Sequence, residues 1–219
     1  MRVAALYDVH GMRAPLEAVL ADVQRANIDS IVFGGDLLEG PLPRETLELV
    51  RSVEARFVRG NCEDHPSRFV RKQLDADALD WLATWPLTLD LDRVLYCHSL
   101  PRSNEEIVTD RTPDRVLRDA LADREERLVV AGHTHHQFRN GRYVNAGSVG
   151  MPYEDEVAAF WAVVDDGAVE FRKTPFDAER AAVEIRATGW PGAGKFVPEN
   201  LLEAPSRASA IEFFESQRA

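Results

Sequence analysis

Cys62 and Cys97 are the only cysteines in 219 residues, too few for a disulfide-stapled scaffold. Reduced thiols and a cytoplasmic setting are the expectation. Lysine is nearly as scarce. Apart from Lys72, Lys173 and Lys195, all of the 26 basic side chains are arginines, and they are scattered instead of gathered in a patch. Acids outnumber them at 37, and the formal net charge of −11 argues against nucleic-acid backbones or anionic membranes as general partners. No apolar run approaches the roughly 20 residues that cross a bilayer. The apolar start reaches Asp8 too soon for a signal peptide. Low-complexity tracts and internal repeats are missing as well. One domain over 1–219 is expected, with 177–219 as a C-terminal helical extension packed on it.

What is present alternates between two periods. Val3–Tyr7, Ser30–Phe33 and Ala55–Val58 are short apolar runs of the kind that form buried strands, and Ala14–Ala26 and Arg44–Val53 carry helical spacing between them. This order is that of an α/β layered fold. Pro66–Trp85 reads as helical, with Leu74, Leu79 and Leu82 on one face. Beyond it, Leu87–Leu91 and Val94–Cys97 flank a tight turn at Asp92-Arg93. A helix over Pro113–Ala122 and a strand at Leu128–Ala131 follow, then strands at Phe138, Tyr143–Asn145, Val157–Val164 and Val169–Lys173, with Asn140-Gly141 and Asp166-Gly167 as turn signals. Two packed mixed sheets flanked by helices fit this sequence of elements. After a helix at Ala178–Ala187 and a loop at Gly189–Gly194, the stretch Ala208–Gln217 carries Ile211, Phe213 and Phe214 as a docking stripe or an oligomer contact.

The polar residues worth attention sit at strand ends. Asp8-Val9-His10 closes the first strand, and side chains two apart on a strand share a face, so both can reach one ion. Gly34-Gly35-Asp36 closes the second, where glycine allows a sharp turn and close approach. Gly60-Asn61-Cys62-Glu63 closes the third. Three consecutive strands thus end in hard ligands at the edge where open α/β sheets place their sites. Cys97-His98-Ser99 and Gly132-His133-Thr134-His135 end later strands, and four of the six histidines follow apolar runs; His65 and His136 adjoin the motifs.

In this order the motifs resemble those of the calcineurin-like metallophosphoesterase superfamily, over about Met1 to Tyr153, and Asn145-Ala146-Gly147-Ser148-Val149-Gly150 is similar to a segment of its small prokaryotic phosphodiesterases. The resemblance implies two divalent transition-metal ions (Mn, Fe, Co, Ni or Zn). Asp8, His10, Asp36 and His135 would hold one, Asp36, Asn61, His98 and His133 the other, with Asp36 bridging. It also implies hydrolysis of a small phosphate ester or nucleotide by direct attack of a metal-bound hydroxide. Nitrogen and oxygen donors without thiolate suit such ions. Many members carry histidine where Cys62 stands, to protonate the leaving group; a neutral thiol is a poor acid, so esters with good leaving groups are expected unless His65 or His136 reaches in. Glu63 is expected to orient its neighbours. Cys97, facing away, is expected in the core. Arg59 and Arg102 are candidate phosphate clamps, and the loop Pro101–Thr112 is the candidate seat of specificity. Two alternatives stand beside this reading. A serine/threonine protein phosphatase usually brings a larger chain, and a non-catalytic scaffold of the same fold would have a degraded ligand set.

Overall fold

The structure, a computed structural model, describes residues 1–218. Strands β1 (Arg2–Leu6), β2 (Ser30–Phe33) and β3 (Ala55–Phe57) run parallel, connected through helices α1 (Arg13–Arg25) and α2 (Pro43–Arg51). The late strands β9 (Ala159–Asp165) and β10 (Ala168–Thr174) add antiparallel to β1, giving the order β10-β9-β1-β2-β3. A second sheet of five strands comprises β4 (Thr88–Leu91), β5 (Val94–Cys97), β6 (Leu128–Ala131), β7 (Gln137–Asn140) and β8 (Tyr143–Ala146), in the order β4-β5-β6-β8-β7.

Alternation along the strands explains why the sheets stack. Val3 and Ala5 of β1, Val32 of β2, Val94 and Tyr96 of β5 and Leu128 and Val130 of β6 form the apolar layer between the sheets. Their neighbours point the other way. Ala4, Leu6, Ile31 and Phe33 pack under α1 and α2, while Leu95, Cys97, Val129 and Ala131 pack under α6 (Asp114–Ala120). The central strands are covered on both faces, which is why they are apolar throughout and not alternating. The Cys97 thiol lies in this outer layer with no exposure.

Turn chemistry fixes the hairpins. Asp92 and Arg93 both take positive φ (52° and 64°), as do Asp166 and Gly167 (47° and 80°), the two-residue geometry whose twist matches paired strands. Three expectations need correction. The helical stretch 66–85 is two helices, α4 (Arg68–Gln73) and α5 (Ala76–Ala83), because Leu74 is extended and Asp75 caps a new start by accepting from Ala78 N at 2.7 Å. The loop expected over Gly189–Gly194 holds through Gly192 but is shorter than expected, because α8 (Ala193–Phe196) begins at Ala193 and a π turn over Val197–Leu202 follows. Phe196, Val197 and Leu201 pack with α7 (Ala178–Ala187) around Met12. The stripe on α9 (Arg207–Gln217) is split, with Ile211 buried and Phe213 60 % exposed. No helix of the described residues is long and apolar enough to cross a membrane.

Candidate metal centre

The strand-end residues do converge, but not by the strand geometry expected of them. β1 stops at Leu6, and Asp8 (φ 52°) and His10 (φ 51°) both sit in the left-handed region, as do Asp36 (φ 53°), His133 (φ 70°) and His135 (φ 58°). Of the ten non-glycine residues with positive φ among the described residues, five are therefore candidate ligands. Each such backbone costs about 1–2 kcal/mol and persists only where its surroundings enforce it. Here the ligand loops brace one another: Asp8 N donates to Gly35 O at 3.1 Å, His10 N to Asp36 O at 2.9 Å and Gly11 N to Leu37 O at 2.8 Å. Gly35 is required where it stands. Its φ is +99°, and a Cβ would lie 2.5 Å from Gly60 N and 2.7 Å from His98 Nδ1.

His133 and His135, expected to share a face, diverge instead. His135 pairs with His10 (ring centroids 4.9 Å apart), whereas His133 meets His98 edge-on at 5.1 Å. The cluster therefore has two ends. At one, His10 Nε2 and His135 Nε2 face each other at 3.2 Å; at the other, His98 Nε2 lies 3.1 Å from Asn61 Oδ1. Asp8 and Asp36 lie between. Asp8 Oδ1 is 3.3 Å from His135 Nε2 and 3.8 Å from His98 Nε2, and Asp36 Oδ2 is 3.8 Å from His10 Nε2 and 3.5 Å from His98 Nε2. Asp8, His10 and His135 offer ligand atoms within metal-holding distance of one another, as do Asp8, Asp36 and His98, and His10, Asp36 and Cys62. His133 stands outside these tight groups.

The hydrogen bonds behind the imidazoles decide what they present. Nδ1 donates to Glu39 O from His10 (3.1 Å), to Gly34 O from His98 (2.9 Å) and to Met151 O from His135 (2.8 Å). All three therefore turn Nε2 toward the carboxylates, the arrangement by which backbone carbonyls orient metal-ligating histidines. His133 is reversed: its Nε2 donates to Glu105 O at 3.2 Å, which leaves Nδ1 as the donor atom for an ion. Asp8 is fully buried, yet its Oδ1 has no hydrogen-bond partner of sound geometry. An orphaned carboxylate oxygen surrounded by oriented imidazole nitrogens is a donor set short of a cation. The residues present fit divalent metal.

Charge in the metal-free cluster follows the same geometry. Burial pushes the Asp36 carboxyl up, but the imidazoles of His98 and His10 outweigh it and hold it well below the usual range. Asp8 is likewise held low against its burial, chiefly by His135. In return, and again against burial, Asp36 and Asp8 lift His98 to about 10, and Asp8 raises His135. His10 and His133 go the other way, lowered by burial and by the cationic rings beside them, His133 to about 4.

Glu63 holds the centre together. Its Oε2 accepts from Asp36 N and from Gly60 N, and its Oε1 from Leu37 N, each at 2.8 Å. The bond to Gly60 satisfies the backbone N–H that precedes the first turn of α3 (Asn61–Asp64). Burial, reinforced by Asp36, pushes this carboxyl up to about 7 against the pull of the Leu37 and Asp36 N–H donors and of His98. The Cys62 thiol is also pushed up, by burial first and then by Asp36, whose Oδ2 it touches at 3.1 Å. His65 is exposed at the end of α3. His136 is enclosed, its ring stacked 5.0 Å from Phe138 and its Nδ1 on Thr134 O. The two expected phosphate clamps are engaged elsewhere: Arg59 binds Asp64 (3.0 Å) and Ala83 O (3.1 Å), and Arg102 forms a two-pronged pair with Glu106 at 2.7 and 2.6 Å.

Sequence reasoning missed the supports. Tyr153 stacks nearly parallel (14°) on His135 at 5.2 Å, and Ser148 Oγ ties Asp8 O to Met151 N, both at 2.8 Å. Both lie in or beside the Asn145–Met151 segment, whose Gly-Ser pattern was the one available signal.

The chain matches the model of the calcineurin-like phosphoesterase superfamily domain over residues 1–166. It is 25 % identical to the uncharacterized protein MJ0912 of Methanocaldococcus jannaschii, over 89 % of this chain and 97 % of that one. The metallophosphoesterase of Sphaerobacter thermophilus superposes with a TM-score of 0.76 at 25 % identity, covering 90 % and 99 % of the two chains. The hypothetical protein PH1004 of Pyrococcus horikoshii shares the fold at a TM-score of 0.76 and 19 % identity, over 90 % and 97 %. Since the matched stretch contains every clustered ligand from Asp8 to His135, the chain belongs to the calcineurin-like phosphoesterase superfamily, a metal-dependent family.

Proposed function

We propose that the protein hydrolyses phosphodiester bonds of a small molecule or nucleotide with two divalent transition-metal ions. One ion would be held by Asp8, His10, Asp36 and His135, the other by Asp36, Asn61, His98 and His133. The observation that carries this reading is the trio of buried imidazoles, each committed through Nδ1 to a backbone carbonyl, with Nε2 turned onto both Asp8 and Asp36 from His10 and His98 and onto Asp8 from His135. Two ends, with Asp8 and Asp36 each within 4 Å of a histidine from both, support two ions with a carboxylate between them, the place this reading gives to Asp36. Bound there, such ions would supply an acidified water and stabilise the attacking and leaving oxygens of an in-line displacement.

The chain's own residues then limit the reaction. The Cys62 thiol donates to Asp36, and burial pushes its pKa up, so it is a poor acid for a departing alkoxide. Metal-stripped protein resupplied with Mn²⁺, Ni²⁺ or Zn²⁺ should cleave chromogenic aryl diesters, and alkyl diesters at least about tenfold more slowly. If neither aryl mono- nor diesters are cleaved with any of these ions while two ions bind, the assignment is wrong.

Metal uptake should be proton-coupled. In the metal-free protein His98 titrates near 10 instead of 6.5, so its contribution to stability is complete below pH 6.5 and is lost as pH rises through 10. At pH 8 it is an imidazolium and must shed its proton to accept an ion. Calorimetry in buffers of different ionisation enthalpy should report release of about one proton or more per protein. Uptake without proton release would remove His98 from the ligand set.

A further inference from the structure

We propose that α9, which lies beyond the residues 1–166 matched by the family model, is a positioning element for the metal centre that sets His133 and His135 through the loops behind them. The inference rests on the two-ion reading above. Toward His135 the path is aromatic and short. Phe214 of α9 packs on Tyr153 (ring centroids 6.0 Å apart), Tyr153 stacks on the His135 imidazole, and Tyr153 N donates to His135 O at 3.0 Å. The start of the helix pins the same loop: Arg207 N donates to Asp155 Oδ1 at 3.0 Å, and its guanidinium binds Glu154 at 2.6 Å and Gln137 O at 2.9 Å.

Toward His133 the path is polar. Glu215 of α9 accepts from the Thr109 hydroxyl, and Arg218 donates to Thr112 Oγ1 at 3.0 Å. Arg207 adds an ion pair with Asp110 at 3.5 Å. These bonds fix the loop 105–112, whose Glu105 carbonyl holds His133 Nε2 and whose Val108 carbonyl accepts from Thr134 Oγ1 at 2.8 Å. Thr134 stands between the two histidines. One helix thus sets the backing of a ligand at each end of the cluster: Arg207 touches both loops, whereas Phe214 addresses the His135 end and Glu215 the His133 end.

That separation makes the idea testable. Groups that hydrogen-bond a metal ligand directly are worth roughly 10–100-fold in metal affinity, and Phe214 and Glu215, which stand behind such groups, are expected at the low end of that range. Co²⁺ titration of the full chain, followed by calorimetry and by d–d absorption, resolves the two ions. Phe214→Ala should weaken one ion by about tenfold and leave the other within about twofold, Glu215→Ala should do the reverse, and Phe214→Tyr should restore the first. The absorption band of the weakened site should also shift, which a loss of stability alone would not produce. If either alanine variant fails to fold, Phe214→Leu and Glu215→Gln carry the same contrast. Two affinities unchanged in folded variants, or falling in parallel with the folded fraction, overturn the proposal. Failure of the wild-type chain to bind two ions overturns the two-ion reading together with it.

Discussion

Asp36→Asn should lower diester hydrolysis on the order of 10³-fold and weaken both ions in the same variant. The carboxylate lies within 4 Å of His10 Nε2 at one end of the cluster and of His98 Nε2 at the other, so its loss is felt at both. A metal centre contributes several kcal/mol of charge stabilisation, and about 4 kcal/mol corresponds to the expected factor. The substitution is a clean one. Asparagine tolerates the left-handed backbone of this position (φ 53°), and its amide oxygen can still accept from Cys62 N, as Asp36 Oδ1 does at 2.9 Å. Circular dichroism should therefore show an intact fold. Metal analysis that finds only one ion lost would reject the bridging role while leaving the two-ion centre in place.

Glu63→Ala should cost about 3 kcal/mol of stability, the largest effect expected of a residue that touches no ion in this scheme. Three backbone N–H groups, those of Asp36, Leu37 and Gly60, depend on its two oxygens, and each buried donor left unpaired costs roughly 1–3 kcal/mol. Loss of the buried charge offsets part of the upper range. For a chain of this size the melting temperature should fall by roughly 6–12 °C. Glu63→Gln, which keeps one accepting oxygen, should lose about half as much. Equal melting temperatures for wild type and Glu63→Ala would mean that the loops after β2 and β3 hold their shape without it.

Much of this was legible in the chain. The apolar runs of β1, β2, β5 and β6 declare both-sided burial, and the turns at Asp92-Arg93 and Asp166-Gly167 declare hairpins, because those signals are local. The cluster of Asp8, His10, Asp36, His98 and His135 was legible because its members follow the strands in order. Two things were not. The strand rule invoked for Asp8 and His10, and for His133 and His135, fails because each loop is shaped by bonds to a neighbouring loop far away in sequence, such as His10 N to Asp36 O. The other is the role of neighbours: Arg59 and Arg102 adjoin motifs, but acids close by, Asp64 and Glu106, claim their guanidinium groups. Only three-dimensional proximity reveals that competition, just as it reveals Tyr153 behind His135.

The five left-handed candidate ligands bear on how this centre can be lost over evolutionary time. Besides glycine, the residues that tolerate such a backbone are chiefly Asn, Asp and His, and the ligands at these five positions are all Asp or His. The backbone thus filters mutations before chemistry does. A β-branched replacement at Asp8 or His135 would strain the loop as well as remove a donor, whereas Gly removes the donor and spares the loop, and Asn spares the loop while leaving only a weaker, uncharged amide oxygen. A descendant that abandons catalysis is therefore expected to carry Asn or Gly at these positions and to keep the loop shapes, a molecular fossil with the outline of the centre and none of its charge.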